Sequence, residues 1–163
     1  MFTAIGALIT HRAFAEHALD FWVAIIYHRS EGKKQESEIP GKFGRKVRFL
    51  NLCFRRIAAL SPFADEGTAI LDDLCALSDT RHYIIHGVIS NYDADTGEIT
   101  FTKLDLTDKN TMHKASEKKI THDQLVSDAT TCAQLTERAS NFSYALIEAF
   151  VPRHERRYIR RPF

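Results

Sequence analysis

The apolar residues between positions 70 and 85 repeat at the period of an α-helix. Spacings of four, three and seven residues place one set of apolar side chains on a single face of this helix. The set consists of Ile70, Leu74, Leu77, Ile84 and Ile85. Arg81 falls within the same stripe. Because a buried guanidinium without an anionic partner is costly, we expect Arg81 to have such a partner or to line a cleft or a subunit interface.

Similar periodicity predicts three more long helices. The first is apolar on two sides, so it needs two packing partners, and the second partner is either the rest of its own bundle or another subunit. Thr121, with Gln124 three residues later, is typical of the start of a helix. The four helices are expected at about residues 3–28, 43–60, 65–86 and 121–150.

The period changes after Gly87, a residue typical of the end of a helix. Residues 88–92 and 98–102 are rich in β-forming side chains and are joined by Asp-Ala-Asp-Thr-Gly, which predicts a β-hairpin. Residues 107–119 are polar, and we expect them to be irregular. The predicted fold is therefore an all-α bundle of four long helices with a β-hairpin insertion between the third and last helices. A single domain is expected over residues 1–151, with the hairpin at about 88–104, followed by a basic C-terminal tail at 152–163.

Composition narrows the class of protein. The chain has 163 residues, 44% of them hydrophobic, which suits one globular domain with its own core. A net charge of +1 gives no general attraction to nucleic acid, so any such binding needs a local patch. Cys53, Cys75 and Cys132 form no Cys-x-x-Cys pair and are expected to be reduced packing residues. No stretch has the length and apolar character of a membrane span, and we expect a cytoplasmic protein.

A polar stripe runs beside the apolar stripe of the central helix. It consists of Cys75, Asp79, His82 and His86. One interpretation is a metal site, because residues four apart on a helix can share an ion. Tyr83 occupies the position of the glutamate base of helical zinc peptidases, which excludes that mechanism. Since four ligands on one straight helix cannot surround a metal, we expect neither a metal nor a cofactor.

The other interpretation is chemistry on a phosphodiester by Arg81 and His86. Arginine stays charged and can hold two phosphate oxygens while charge builds up in the transition state. Histidine titrates near neutral pH and can take a proton from a ribose 2′-hydroxyl. A second acid is needed for the 5′-oxygen, and a two-fold dimer would bring another copy of His86 to the same cleft.

Residues 77–87, LSDTRHYIIHG, resemble the signature of HEPN domains, in which an arginine is followed four to six positions later by a histidine near a helix end. Those domains are helical bundles, commonly dimeric, and many are metal-independent ribonucleases in toxin–antitoxin or phage-defence systems. The resemblance implies an endoribonuclease with Arg81 and His86 as its catalytic pair and His82 at the polar position. It also implies a homodimer and the possibility of an antitoxin partner.

In the nuclease hypothesis, His82 or Asp79 orients the site. Two alternatives remain open. Other members of the superfamily serve as non-catalytic nucleotide-binding, protein-interaction or dimerisation domains. Arg81 can also be a structural arginine paired with Glu16.

The basic C-terminal tail is either a solubilising segment or an RNA-binding segment whose arginines contact phosphates while its aromatic residues stack on bases. Its arginines are Arg153, Arg156, Arg157, Arg160 and Arg161.

Overall fold

Helices make up most of the described chain, which comprises residues 1–105 and 114–156 of a computed structural model. Two 3₁₀ segments, Gly32–Lys34 and Ala58–Phe63, flank the second helix. A final one-turn helix, α6, spans Arg153–Arg156. The longer helices are α1 (Phe2–Arg29), α2 (Phe43–Arg56), α3 (Ala64–Ala76), α4 (Ser78–His86) and α5 (His122–Phe150).

The two longest helices, α1 and α5, pack side by side and run in the same direction. The hydroxyl of Thr136 donates to the carbonyl of His11 at 2.8 Å, and further along both helices the Trp22 indole donates to Ser143 Oγ at 2.8 Å. Because the start of α5 therefore lies beside the start of α1, the chain between them has to return to that end. Within the described ranges, no helix combines the length and apolar character needed to cross a bilayer.

Two hydrophobic clusters form the core. The larger one surrounds Trp22, which contacts Phe142 with ring centroids 4.3 Å apart, and joins α1, α2, α3 and α5. The smaller one joins the first turns of α1 and α5 to a sheet through Leu8, Phe101 and Leu125. The second cluster holds the sheet against the same end of the molecule as α4, since Tyr83 and Ile84 pack on it.

The sheet has three antiparallel strands in the order β1 (Val88–Asp93), β2 (Glu98–Asp105) and β3 (Lys114–Thr121). The predicted hairpin is present as β1 and β2, with a bulge between Ile89 and Asn91. Its turn is fixed by Asp93, whose carboxylate accepts from the backbone N–H groups of Asp95 and Thr96 at 2.9 and 3.2 Å. These hydrogen bonds lower the pKa of Asp93, because they favour its charged form.

The predicted fold class is wrong in two respects. The chain is not a bundle of four long helices, because the predicted third helix consists of two shorter helices, α3 and α4. It is also not all-α with a hairpin, because β3 extends the hairpin to a sheet that follows α4 and precedes α5. The hairpin predicted at 88–104 thus supplies two of the three strands of the sheet.

The break between α3 and α4 lies at Leu77 and is stabilised by a contact with α1. Ser78 Oγ donates to the carbonyl of Leu74 at 3.0 Å and accepts a hydrogen bond from Arg12 Nη2 at 3.1 Å. Apolar spacing continues unchanged through this point, so it gives no sign of the break. Helix α3 ends at Ala76 and α4 begins at Ser78, and Ile85, which a continuous stripe would bury, is exposed.

The third strand was expected to be irregular because its sequence, KASEKKIT, is strongly polar. Among residues 115–121, for which burial is described, Ile120 alone is buried. The strand forms by pairing with β2, with Ile120 opposite Ile99 and Lys118 opposite Phe101. A two-stranded hairpin is marginal alone, and a third strand supplies the missing partner. Residues 107–113 of the expected irregular segment lie outside the described residues.

The thiols differ in exposure, which leads to a labelling prediction. Cys53 and Cys132 are buried, as expected for packing residues, whereas Cys75 is exposed. Burial raises the pKa of Cys53 to about 12 and also raises the pKa values of Cys132 and Cys75, so the thiols differ in access to solvent and not in the direction of their pKa shifts. An alkylating reagent at neutral pH is expected to modify only Cys75 in native protein and all three thiols in denaturant, as counted by mass spectrometry. Modification of native Cys53 as fast as Cys75 would contradict this prediction.

Candidate functional site

Two histidines lie close together on the exposed side of α4. His82 and His86 are one helical turn apart, and their ring centroids are separated by 4.9 Å. Both side chains are exposed, although the two residues flank a partly buried Tyr83 that packs on the second core cluster. Tyr83 therefore anchors the helix, and its neighbours present two imidazoles to solvent.

The sheet places a lysine next to this pair. Lys103 of β2 has its Nζ 2.8 Å from Nε2 of His82. Because an ammonium group has only donors, a neutral His82 accepts this hydrogen bond at Nε2 and carries its own proton on Nδ1. The Lys103 ammonium also lies 5.7 Å from the centre of the Tyr83 ring. The imidazole pair and Lys103 are here called the His–Lys cluster (His82, His86 and Lys103).

Asp79 lies one turn before Tyr83 on the same helix. Its carboxylate accepts from Nζ of Lys118, on β3, at 2.5 Å. This ion pair joins α4 to the outer strand of the sheet. Asp79 was predicted to orient the site, and in this geometry it would do so by holding the helix on the sheet.

Arg81 points from α4 toward α1 and not into the core. Its side chain is 35% exposed, and its Nε lies 3.7 Å from Oε1 of Glu16. The pairing of Arg81 with Glu16 that was considered from sequence is therefore present as a long contact. The expectation that Arg81 occupies the buried stripe is wrong, because Arg81 lies in α4, beyond the interruption at Leu77, and its side chain is only partly buried against Glu16 of α1.

The arginine that is buried is Arg12, on α1, which is only 1% exposed. Its guanidinium lies 4.5 Å from the centre of the Phe43 ring, and its Nη1 lies 3.2 Å from Oε1 of Glu16. Nε and Nη1 have no hydrogen-bond acceptor among the described residues. Burial lowers the pKa of Arg12, and the nearby Glu16 carboxylate opposes this effect. Glu16 is therefore shared by two arginines.

The predicted catalytic pair is separated by these contacts. Five residues of helix place Arg81 and His86 roughly 140° apart around the axis. Arg81 faces α1 and contacts Glu16, whereas His86 lies in the His–Lys cluster beside the sheet. A ligand would have to lie across the end of α4 to reach both.

The sequence interpretation missed Lys103. The signal was present in the predicted hairpin, because side chains alternate along a strand and Lys103 shares a face with Ile99 and Phe101. Those two residues are buried against the helices, so the next residue on the same face emerges at the edge of the packed area. A lysine at that position is directed toward α4.

The arginines of the predicted tail have different surroundings. Arg153 is exposed at the start of α6. Arg156 donates from Nε to the carbonyl of Val151 at 2.8 Å and from Nη2 to the carbonyl of Glu148 at 2.6 Å. These bonds satisfy carbonyls at the end of α5. Arg157, Arg160 and Arg161 lie outside the described residues.

The metal interpretation has no support in the geometry. Cys75 belongs to α3 and Asp79 to α4, so the four candidate ligands do not follow one another on a single helix. Among the side chains that the structure describes, no group of three or more histidines, cysteines or acids is arranged to hold a metal ion.

Gly87 joins α4 to β1, and its backbone explains why a glycine stands next to His86. Helix α4 ends at His86, as Gly87 predicted, but the φ of −92° at Gly87 is available to any residue, so a left-handed conformation does not explain the glycine. A Cβ at this position would lie 2.5 Å from the carbonyl oxygen of Tyr83 and 3.3 Å from that of Thr102. The Tyr83 carbonyl in the last turn of α4 leaves no room for a Cβ, and the Thr102 carbonyl of the sheet tightens the space further, so the position requires glycine.

Gly87→Ala is expected to lower the free energy of unfolding by about 1–3 kcal/mol, because two backbone carbonyls must move to make room. Urea denaturation measures this effect. Gly6→Ala is the matched control, since nothing lies within 4 Å of a Cβ there and alanine favours the helix, so this variant should be as stable as the wild type or more so. Equal denaturation midpoints for Gly87→Ala and the wild type would refute the steric explanation.

Comparisons with protein-family models, with curated proteins and with solved structures find no match to this chain. The resemblance of residues 77–87 to the HEPN signature therefore stays a prediction from the sequence.

Proposed function

We propose that this chain is a metal-independent endoribonuclease that cleaves RNA at the end of α4 by attack of a ribose 2′-hydroxyl on the adjacent phosphate. Arg81 would hold the phosphate, and His86 would act as the general base or acid, as the HEPN-like signature implies. We add Lys103 to this site as a phosphate-binding residue. The proposed reaction depends on these three side chains and not on a four-helix bundle.

The observation that carries the proposal is the His–Lys cluster. Two exposed imidazoles stand 4.9 Å apart with an ammonium group 2.8 Å from one of them. Histidine is the side chain best suited to proton transfer at neutral pH, and a lysine beside it attracts a phosphate. Within the described part of the chain the imidazole ring of His86 has no hydrogen-bond partner and contacts only the ring of His82, so it is available to a ligand.

The proposed step has a simple balance of atoms. His86 takes the proton of the 2′-hydroxyl, the 2′-oxygen forms a bond to phosphorus, and the bond from phosphorus to the 5′-oxygen breaks. The leaving 5′-oxygen receives a proton from a second imidazole, which in a two-fold dimer would be His86 of a second copy. Arg81 and Lys103 stabilise the negative charge that builds on the phosphate oxygens. The products are a 2′,3′-cyclic phosphate and a 5′-hydroxyl.

The test is incubation of purified protein with single-stranded RNA in a chelator. We expect cleavage to continue in chelator and to leave 2′,3′-cyclic phosphate ends, detected by mass spectrometry of the fragments. The same sequence with every 2′-hydroxyl replaced by hydrogen should stay intact, because it lacks the nucleophile. Intact RNA at all protein concentrations, or equal cleavage of the 2′-deoxy strand, would refute the proposal.

The cellular setting that we propose follows from the same resemblance. Ribonucleases of this kind act in toxin–antitoxin or defence systems, so we propose a cytoplasmic homodimer whose activity an antitoxin partner can block.

A non-catalytic interaction domain is the second candidate, and the exposed side chains of the sheet favour it. Val88 and Tyr92 on β1 are 67% and 53% exposed, although both are large and apolar or aromatic. Exposed apolar side chains on an edge strand are typical of a surface that binds another protein. In this case RNA stays intact, and Val88→Lys abolishes association with the partner without affecting the fold.

A further inference from the structure

One carboxylate serves two guanidinium groups at the junction of α1 and α4. Oε1 of Glu16 lies 3.2 Å from Nη1 of Arg12 and 3.7 Å from Nε of Arg81. The three charges sum to +1, so the group keeps a surplus of positive charge. Arg12 is buried and Glu16 is half-buried, which leaves Arg81 as the member nearest to solvent.

The same part of α1 also fixes the start of α4. Arg12 donates from Nη2 to the hydroxyl of Ser78, the first residue of α4, at 3.1 Å. Ser78 and Arg81 are three residues apart and share a face of the helix. Helix α1 therefore contacts α4 at two neighbouring points, at Ser78 through Arg12 and at Arg81 through Glu16.

We infer that Glu16 is a positioning residue that holds Arg81 by its Nε so that the terminal nitrogens of the guanidinium are presented to an RNA phosphate. This inference rests on the proposed function, and it assigns a task to Glu16 within that site. The buried guanidinium of Arg12 attracts the Glu16 carboxylate from the side of the core and so keeps it next to Arg81.

The physical reason is the flexibility of a half-exposed arginine. Its side chain has several rotatable bonds, and ordering it at the moment of substrate binding costs conformational entropy. A carboxylate that contacts Nε restricts these rotations in advance, while the other edge of the planar guanidinium can still bind two phosphate oxygens. The opposite role is that Glu16 masks Arg81, and this role makes a different prediction.

Glu16→Gln tests the inference because it keeps the size of the side chain and removes its charge. We expect kcat for RNA cleavage to fall by about 10- to 100-fold, as for other small misplacements of a catalytic group, while KM stays equal or falls because the site becomes more positive. Glu16→Asp keeps the charge on a shorter side chain and should recover part of kcat. Glu137→Gln, at an exposed position of α5, removes the same charge away from the site and should leave kcat unchanged.

The outcomes separate the two roles. A rise in kcat in Glu16→Gln would show that Glu16 masks Arg81, which overturns the inference. A fall in thermal stability with unchanged kcat per folded molecule would show a purely structural role and would overturn it as well. If Glu16→Gln does not fold, Glu16→Met, which also removes the charge at a similar size, replaces it, and a kcat equal to that of the wild type refutes the inference.

A spectroscopic readout keeps the inference independent of nuclease activity. In the NMR spectrum, the Nε–Hε signal of Arg81, identified by its absence in Arg81→Lys, should shift in Glu16→Gln and stay in place in Glu137→Gln. If the wild type leaves RNA intact, the proposed function fails and this signal still tests the contact. If the wild type cleaves RNA and the signal is unchanged in Glu16→Gln, the inference alone fails.

Discussion

His86→Ala is expected to lower the rate of RNA cleavage by about 10²- to 10⁴-fold, the usual contribution of a general acid or base. The side chain is exposed at the last residue of α4, so its removal should not affect the core. Binding of a 2′-deoxy oligonucleotide should stay within about twofold of the wild type, because phosphate contacts determine binding and Arg81 and Lys103 remain. The measurements are initial rates on RNA in chelator and a binding titration.

His154→Ala is the matched control for this prediction. His154 is exposed on α6, away from α4, and its loss should leave the cleavage rate unchanged. His82→Ala should have a smaller effect than His86→Ala, because Nε2 of His82 already accepts a hydrogen bond from Lys103. Equal cleavage by the wild type and His86→Ala would remove the nuclease hypothesis.

Trp22→Ala is expected to lower the free energy of unfolding by about 3–5 kcal/mol, which is the usual cost of deleting a buried aromatic side chain. Trp22 is fully buried, its ring packs on Phe142 at 4.3 Å, and its indole N–H donates to Ser143 Oγ at 2.8 Å. The substitution leaves a cavity between the two parallel helices and removes one hydrogen bond between them. Urea denaturation followed by circular dichroism measures the loss.

Two variants calibrate this result. Trp22→Phe keeps a ring in the cavity but loses the hydrogen bond to Ser143, so its stability should lie between those of Trp22→Ala and the wild type. Phe2→Ala removes an aromatic side chain that is exposed, and its effect should stay within about 0.5 kcal/mol. A denaturation midpoint of Trp22→Ala equal to that of the wild type would show that the two long helices do not depend on this contact.

Much of the local structure follows from the sequence because it depends on neighbouring residues. Helix α5 begins where Thr121 was expected to cap it, and the Thr121 hydroxyl accepts from the N–H of Gln124 at 3.2 Å. The turn of the hairpin likewise depends on Asp93 and on Gly97, whose φ is +66°. In both places one side chain or one glycine satisfies a backbone requirement within a few residues.

The predictions of secondary structure are wrong where contacts with a distant part of the chain determine the local structure. Period alone places Ile70 and Ile85 on one continuous stripe, but the contact of Arg12 with Ser78 accompanies a break that exposes Ile85. In β3, polar residues such as Lys118 obscure a strand that forms because β2 offers an open edge. Neither effect can be derived from residues that are close in sequence.

The candidate site also has features that the sequence predicted and features that only tertiary packing determines. The sequence identified His82 and His86 as neighbours, because residues four apart on a helix share a face, and their rings are indeed in contact. It did not identify Lys103 as the third member of the cluster, since that requires the packing of β2 against α4. It also assigned burial to Arg81, whereas Arg12 is the buried arginine.

By itself the sequence determined the long helices, the hairpin turn and the spacing of the two histidines, because helix and turn formation depend on interactions within a few residues. Only the tertiary structure decided where the third predicted helix breaks, which arginine is buried, and which strand brings a lysine to the histidines. Burial and charge pairing depend on residues far apart in the chain, so they are defined only when α1, α4 and the sheet have packed together.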